Sequence, residues 1–300
     1  WLLTQKKLSW TGLLGIGIVT LSIAFCVYHI LTGYFPAPEA HLHRSIHLNM
    51  MIILIFLIWP LKRKSWNGRF HPLSLIDIGC ILFIIGIQVW ISYDIDEFTM
   101  KEGNLSSLDQ LLTMLYLGVV LESIRRTLGW ALVIVCLVFI VHTLYANYFP
   151  GILNGPPTPL AWFADMQVIQ TYGLFGIPIY AMSSFVALFI MFSVLLLRSG
   201  AGKLFNNLAL ALTGHYTGGP AKASVVSSAM MGSISGTVIG NVVGTGSVTI
   251  PLMKQTGYKP EFAAGVEACS SAGGMIMPPI MGVTAFVMAS IIGVSYIKIC

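Results

Sequence analysis

From Leu13 to Leu197 the chain repeats one pattern, an apolar run about the length of a bilayer crossing closed by a short polar or charged cluster. The runs extend from about Leu13 to Tyr34, Ile46 to Leu61, Leu73 to Ser92, Leu108 to Ile124, Trp130 to Tyr148 and Leu174 to Leu197. A bilayer core about 30 Å thick takes about 20 helical residues to cross. Lipid offers backbone amides no partner, so crossing segments are helices or closed barrels. Only 9% of the residues are charged while 56% are hydrophobic, against about 25% charged in a soluble domain. An all-α polytopic membrane protein is therefore expected. The net charge of +5 is modest, and its basic residues sit beside apolar runs. That placement fits topology signals and excludes a nucleic-acid partner. Cys26, Cys80, Cys136, Cys269 and Cys300 are scattered singly, with no disulfide or zinc spacing.

Lysine and arginine gather in loops that stay in the cytoplasm. With the N-terminus inside, Lys6, Lys7, Lys62, Arg63, Lys64, Arg69, Arg125 and Arg126 all lie inside, and only Arg44 and Lys101 fall in the intervening outer loops. The fifth run then crosses outward to a loop containing Gly155-Pro156-Pro157 and Pro159, the expected domain boundary. The sixth returns to Arg198 and Lys203. Residues Leu204 to Leu212 are too few to cross and are expected to lie along the membrane interface.

Two later stretches depart from the pattern. Ala221 to Met253 is apolar yet contains Ser233, Ser235, Gly236, Thr237, Gly240, Asn241, Gly244, Thr245, Gly246 and Ser247, a composition that should break a helix. Lys222 precedes it and Lys254 and Lys259 follow, so a re-entrant hairpin opening to the cytoplasm keeps all three inside, whereas a straight span does not. The turn is expected near Gly236 to Gly244. The second stretch, Phe262 to Ala289, contains Ser270, Ser271, Gly273, Gly274, Pro278 and Pro279. Proline removes amide donors and glycine frees the backbone, so a discontinuous helix is expected. Irregular backbone at membrane depth survives only where protein buries it or where it lines a wet cavity. Unpaired carbonyls and hydroxyl or amide oxygens suit a sodium ion, and half-helix N-termini suit an anion. The candidate substrate and sodium ligands are Ser233, Ser235, Thr237, Asn241, Thr245, Ser247, Ser270, Ser271, Gly273, Gly274 and Pro278, with no cofactor beyond Na+. Small residues also let membrane helices pack closely, so for any single serine the packing reading stays open.

The runs Gly240-Asn241-Val242-Val243-Gly244-Thr245-Gly246-Ser247, Pro260-Glu261-Phe262-Ala263 and Ser271-Ala272-Gly273-Gly274-Met275-Ile276-Met277-Pro278-Pro279-Ile280-Met281-Gly282 resemble the fused permease of tripartite ATP-independent periplasmic (TRAP) transporters, closest to the TAXI-type branch. The resemblance covers roughly residues 108 to 300. It implies a four-span small-subunit-like domain (1–129), a connecting helix and outer loop (130–165), and the first half of an inverted-repeat, elevator-type transport domain (166–300). It further implies sodium-driven uptake of a small organic acid across the bacterial inner membrane, with a periplasmic substrate-binding protein as partner. Gly240 and Gly244 stand where relatives are expected to carry alanine or another small residue. The chain opens on Trp1 and stops at Cys300 soon after an apolar run, so a fragment is expected, and the resemblance implies a second, inverted half of the transport domain.

His41, His43 and His47 offer metal-ligand spacing in what reads as a short outer loop, but with only Glu39 as a nearby acid. Glu267, inside an apolar segment, is by default a functional candidate, and a packing hydrogen bond explains it equally. Glu122 and Arg126 are spaced as a helix-surface pair, and Asp77 sits where an acid favours a helix N-terminus. The sequon Asn104-Leu105-Ser106 is empty in a bacterial chain. A non-transporting scaffold and an intramembrane enzyme are the alternatives. No nucleophile–base pair or HExxH motif supports the latter.

Overall fold

The computed structural model of the protein describes residues 10–61 and 73–300. Lys6, Lys7, Lys62, Arg63, Lys64 and Arg69, on which much of the orientation reading rests, lie outside the described residues. The described chain is helical without strands: α1 (Trp10–Tyr34), α2 (Ala40–Ile58), α3 (Leu75–Tyr93), α4 (Ile95–Met100), α5 (Ser107–Leu128), α6 (Trp130–Leu144), α7 (Leu160–Ala164), α8 (Ile177–Ala181), α9 (Ala187–Arg198), α10 (Ala201–Thr213), α11 (Gly219–Ser235), α12 (Val238–Gln255), α13 (Pro260–Gly274) and α14 (Val283–Ile292). A π-turn over Met182–Val186 joins α8 to α9. Among the described residues, five helical stretches are long and apolar enough to cross a membrane: Leu14–Tyr34, Ala40–Ile58, Leu75–Tyr93, Ser107–Leu128 and Ile177–Arg198. The fifth expected span is shorter. Its helix ends at Leu144 and passes through a 3-10 turn at Ala146–Tyr148, ahead of Pro150.

Two compact units divide the chain, Trp1–Tyr180 and Ala181–Cys300. In the first, Ile52, Phe56, Ile84, Ile87, Ile91, Tyr116 and Val120 of α2, α3 and α5 form a core with Val168, Ile169 and Phe175. Apolar side chains also face outward, among them Ile23, Ile30, Leu82, Val89, Ile134 and Phe139, while His29, Asn49, Asp77 and Asp165 are buried. An apolar exterior with the polar side chains turned inward is the arrangement lipid selects. The buried polar groups are bonded to one another. Tyr116 donates to Asn49 Oδ1 at 2.7 Å, and Asn49 Nδ2 donates to Gln88 Oε1 at 2.7 Å.

Two sequence expectations in this unit are revised. His41, His43 and His47 are not in a loop: Glu39 caps α2 by accepting from the His41 and Leu42 amides, so the helix starts at Ala40 and carries all three histidines inward. His47 pairs with His29 at 2.8 Å and His43 with Tyr28 at 2.9 Å. Arg126 does more than pair with Glu122 at 2.7 Å. It also reaches Asp77 at 2.5 Å and the Trp59 carbonyl at 3.1 Å, tying the ends of α2, α3 and α5 together.

In the second unit α10 buries Gly202, Asn206 and Ala209 and packs on α11, where Ser227 donates to Asn206 at 2.5 Å. Its Leu204, Leu208 and Leu212 are exposed. Helices α11, α12 and α13 pack against each other. Gly232 makes their closest approach possible, since a Cβ there would lie 2.5 Å from the Gly274 carbonyl oxygen.

Candidate functional site

The two unusual stretches fold as a hairpin and a break, and they meet. Helix α11 ends at Ser235 on Gly236, whose φ of 60° is left-handed and therefore suits glycine. Thr237 immediately caps α12 by accepting from the Gly240 amide at 3.2 Å. The turn is thus confined to two residues, tighter than the expected Gly236 to Gly244, and α12 runs unbroken through Gly240, Gly244 and Gly246. Neighbouring side chains fill the space those glycines leave, Leu197 at Gly244 and Glu267 at Gly246. Helix α13 stops at Gly274, and α14 begins only at Val283. Between them Gly282 N–H closes back on the Met275 carbonyl at 2.7 Å.

The break reaches the hairpin turn through backbone. Ile280 N–H donates to the Ser233 carbonyl at 3.2 Å, and a Cβ on Gly236 would meet the Met281 carbonyl oxygen at 2.7 Å. Ser235, Gly236, Ile280 and Met281, with Val186 and Phe286, line a cavity of about 10 Å³. That volume holds about one water-sized sphere.

The candidate ligands occupy distinct places. Ser233 is half-buried and donates to the Met230 carbonyl, and Ser235 is buried at the turn, 3.4 Å from the Thr237 carbonyl. Asn241, Thr245 and Ser271 come together deeper in the bundle, all fully buried. Asn241 Nδ2 donates to the Ser228 carbonyl at 2.8 Å, and its Oδ1 is buried with no partner among the described residues. Gly274 brings α13 against this amide: a Cβ there would stand 2.6 Å from Asn241 Nδ2. Ser270 is half-buried, whereas Ser247, Gly273 and Pro278 are exposed.

Thr245 and Ser271 converge on Glu267. Its Oε1 lies 2.5 Å from Thr245 Oγ1, 3.2 Å from Ser271 Oγ and 3.3 Å from Ser228 Oγ. Its Oε2 lies 2.5 Å from Thr249 Oγ1 and 2.7 Å from Ser224 Oγ. Ser224, Ser228 and Thr249 were absent from the sequence-derived set. Their signal was spacing: Ser224/Ser228, Thr245/Thr249 and Glu267/Ser271 are each four residues apart, which stacks them on one helix face.

The family model for the tripartite ATP-independent periplasmic transporter, DctM component, matches residues 115–300. Among curated proteins, the C4-dicarboxylate TRAP transporter large permease protein DctM of Rhodobacter capsulatus is 33% identical over 35% of this chain and 24% of its own length. The sialic acid TRAP transporter permease protein SiaT of Haemophilus influenzae is 24% identical over 87% of this chain and 35% of its own length. The ectoine TRAP transporter large permease protein TeaC of Halomonas elongata is 29% identical over 34% of this chain and 24% of its own length. The chain thus spans about a quarter to a third of the length of these relatives. No solved structure matches.

Proposed function

The chain belongs to the DctM-component family of tripartite ATP-independent periplasmic transporters, and on that premise we propose that it is part of a permease for sodium-coupled uptake of a small organic acid. A periplasmic binding protein delivers the substrate, and the bacterial inner membrane houses the permease with its N-terminus in the cytoplasm. The observation that carries this reading is the meeting of hairpin turn and helix break: Ile280 N–H bonds the Ser233 carbonyl, beside a cavity lined by Ser235, Gly236 and Met281. Interrupted helices of this kind offer carbonyls to a cation and amide-rich helix ends to an anion, both at one depth. In this reading nine of the eleven candidate ligands divide between two places, and Ser247 and Ser270 join neither. Ser233, Ser235, Thr237 and the 273–278 segment serve the turn, and Asn241 Oδ1, Thr245 and Ser271 serve the interior.

The hairpin α11–α12 is re-entrant, with Lys222 and Lys254 on the cytoplasmic side, and the unit that carries it moves as an elevator. The fused organisation is supported by the SiaT alignment, which extends over 262 residues and so beyond residues 115–300, and the TAXI-type branch by the sequence resemblance alone. The organic-acid assignment draws on relatives named for C4-dicarboxylate and sialic acid. The test is uptake into proteoliposomes containing the full-length permease, with its binding protein outside. Accumulation should require both an inward sodium gradient and the binding protein. Equal uptake without sodium overturns the coupling, and equal uptake without the binding protein overturns the partner.

A further inference from the structure

Where α3 ends, an opposite-charge pair stands open although its spacing closes elsewhere in the same unit. Glu97 on α4 and Lys101 just past it are four residues apart, as Glu122 and Arg126 are on α5. Side chains at that spacing are neighbours on a helix surface, and Arg126 meets Glu122 at 2.7 Å. Lys101 turns instead to Asp109 at 3.4 Å and lies over the Trp90 ring, 5.4 Å from its centre. Among the described residues neither Glu97 nor Asp94 belongs to an ion pair. Asp94 accepts from the Glu97 amide through Oδ1 at 2.9 Å. Both carboxylates are exposed.

The gap is a cavity of about 370 Å³, a size that suits a small-molecule site. Its lining changes along the span. Asp94, Glu97 and Lys101 line it beyond the end of α3, Trp90 and Tyr93 line the last turn, and Val89 and Gly86 continue it down the helix. From Tyr93 to Gly86 is about 10 Å of helix. Trp90 is held edge-on against the buried Phe98, with ring centres 5.0 Å apart. At Gly86 no atom lies within 4 Å of an added Cβ, so the glycine leaves a notch, and the exposed Leu82 and Ile85 extend the apolar surface beside it. A matching ligand carries an anion and a cation side by side above an apolar tail. A soluble amine lacks the tail, and a purely anionic lipid sets like charge against two carboxylates.

We propose that this cavity holds one phospholipid whose head group ends in a primary ammonium. The phosphate lies beside Lys101, the ammonium against Glu97 and Asp94, and an acyl chain along Val89 and Gly86. An ammonium has three donors, so Lys101 reaches the phosphate without leaving Asp109. The lipid's own ammonium meets aromatic faces of the kind that attract cations. Trp90 and Tyr93 also belong to the residue types that settle at head-group level. So placed, the lipid closes the charge gap that α4 leaves and joins α4 to the end of α3. The inference requires only that α3 spans a membrane; it does not depend on sodium coupling or on the substrate.

The test is native mass spectrometry of the purified full-length protein, stripped of lipid and then titrated with phosphatidylethanolamine or phosphatidylglycerol of matched chains. The wild type should hold one more molecule of the first than of the second. That extra molecule should be lost in the double variant Asp94→Asn, Glu97→Gln, which removes the partners of the ammonium, and in Gly86→Leu, which fills the notch from open space. Equal binding of the two lipids by the wild type, or an extra molecule that persists in either variant, overturns the proposal. If the double variant does not fold, Gly86→Leu decides alone. Glycerophosphoethanolamine, the head group without chains, should leave the bound lipid in place. Its displacement of the lipid at equal concentration overturns the lipid site in favour of a soluble amine phosphate. None of these readings depends on uptake, so a negative result leaves the transport proposal standing, and failure of uptake leaves this one standing.

Discussion

Gly232→Ala should be among the most damaging single-methyl changes in the second unit. A Cβ at Gly232 would lie 2.5 Å from the Gly274 carbonyl oxygen and 2.6 Å from its carbonyl carbon and Cα. These are backbone atoms of α13, so no side-chain rotation relieves the contact. Restoring a separation of 3.4 Å from 2.5 Å requires α11 and α13 to part by about 0.9 Å. Overpacking of this kind costs about 1–3 kcal/mol, and a rigid obstacle on both sides puts the change at the upper end. Gly265→Ala, in the same helix pair, is the control. Gly265 is exposed and nothing lies within 4 Å of an added Cβ. Removing glycine there should stabilise by about 0.4–1 kcal/mol through the unfolded state. Unfolding of the two variants in detergent should therefore move in opposite directions, with a difference of about 3 kcal/mol or more. Equal shifts of the same sign would refute the close crossing.

Other consequences are equally open to measurement. Arg126→Leu strips the buried Asp77 of its cation, and breaking one side of such a pair costs about 3–5 kcal/mol. Adding Asp77→Asn should recover part of the loss in the same unfolding assay, and a double variant no more stable than the single would sink the pairing argument. If the hairpin is re-entrant, cysteines placed at Ala221 and Gln255 in a background lacking the five native thiols should react with an impermeant maleimide from one side of the membrane only. Labelling from opposite sides would make α11–α12 a span.

How far the fold could be read in advance varied with the kind of signal. Apolar runs and their closing charges located α1, α3, α5 and the stretch Ile177–Arg198, because a membrane span is fixed by composition over many residues. Glycine at 236 and the pair Pro278–Pro279 located turn and break, since few residues tolerate those backbones. The turn was drawn too wide because Gly240 and Gly244 were counted as breakers, whereas they make room for Thr237 and for Leu197. The start of α2 was missed because three histidines look polar. The Glu39 cap, not hydropathy, sets that boundary. Of the candidate site, Asn241, Thr245 and Ser271 meet in one buried cluster, but the Glu267 cage is a tertiary fact. It takes faces from three helices, and linear order does not say which faces meet.

The most direct measurement of the central claim is sodium-gradient uptake of a carboxylate, presented on its binding protein, by proteoliposomes carrying either Asn241→Leu or the exposed-site control Cys269→Ser. Replacing the amide removes the buried Oδ1 and the bond to the Ser228 carbonyl. The account predicts that Asn241→Leu inserts and assembles yet loses about tenfold or more in uptake, the equivalent of about 1.4 kcal/mol, while Cys269→Ser transports as the wild type does. Undiminished, sodium-dependent uptake by Asn241→Leu would contradict it.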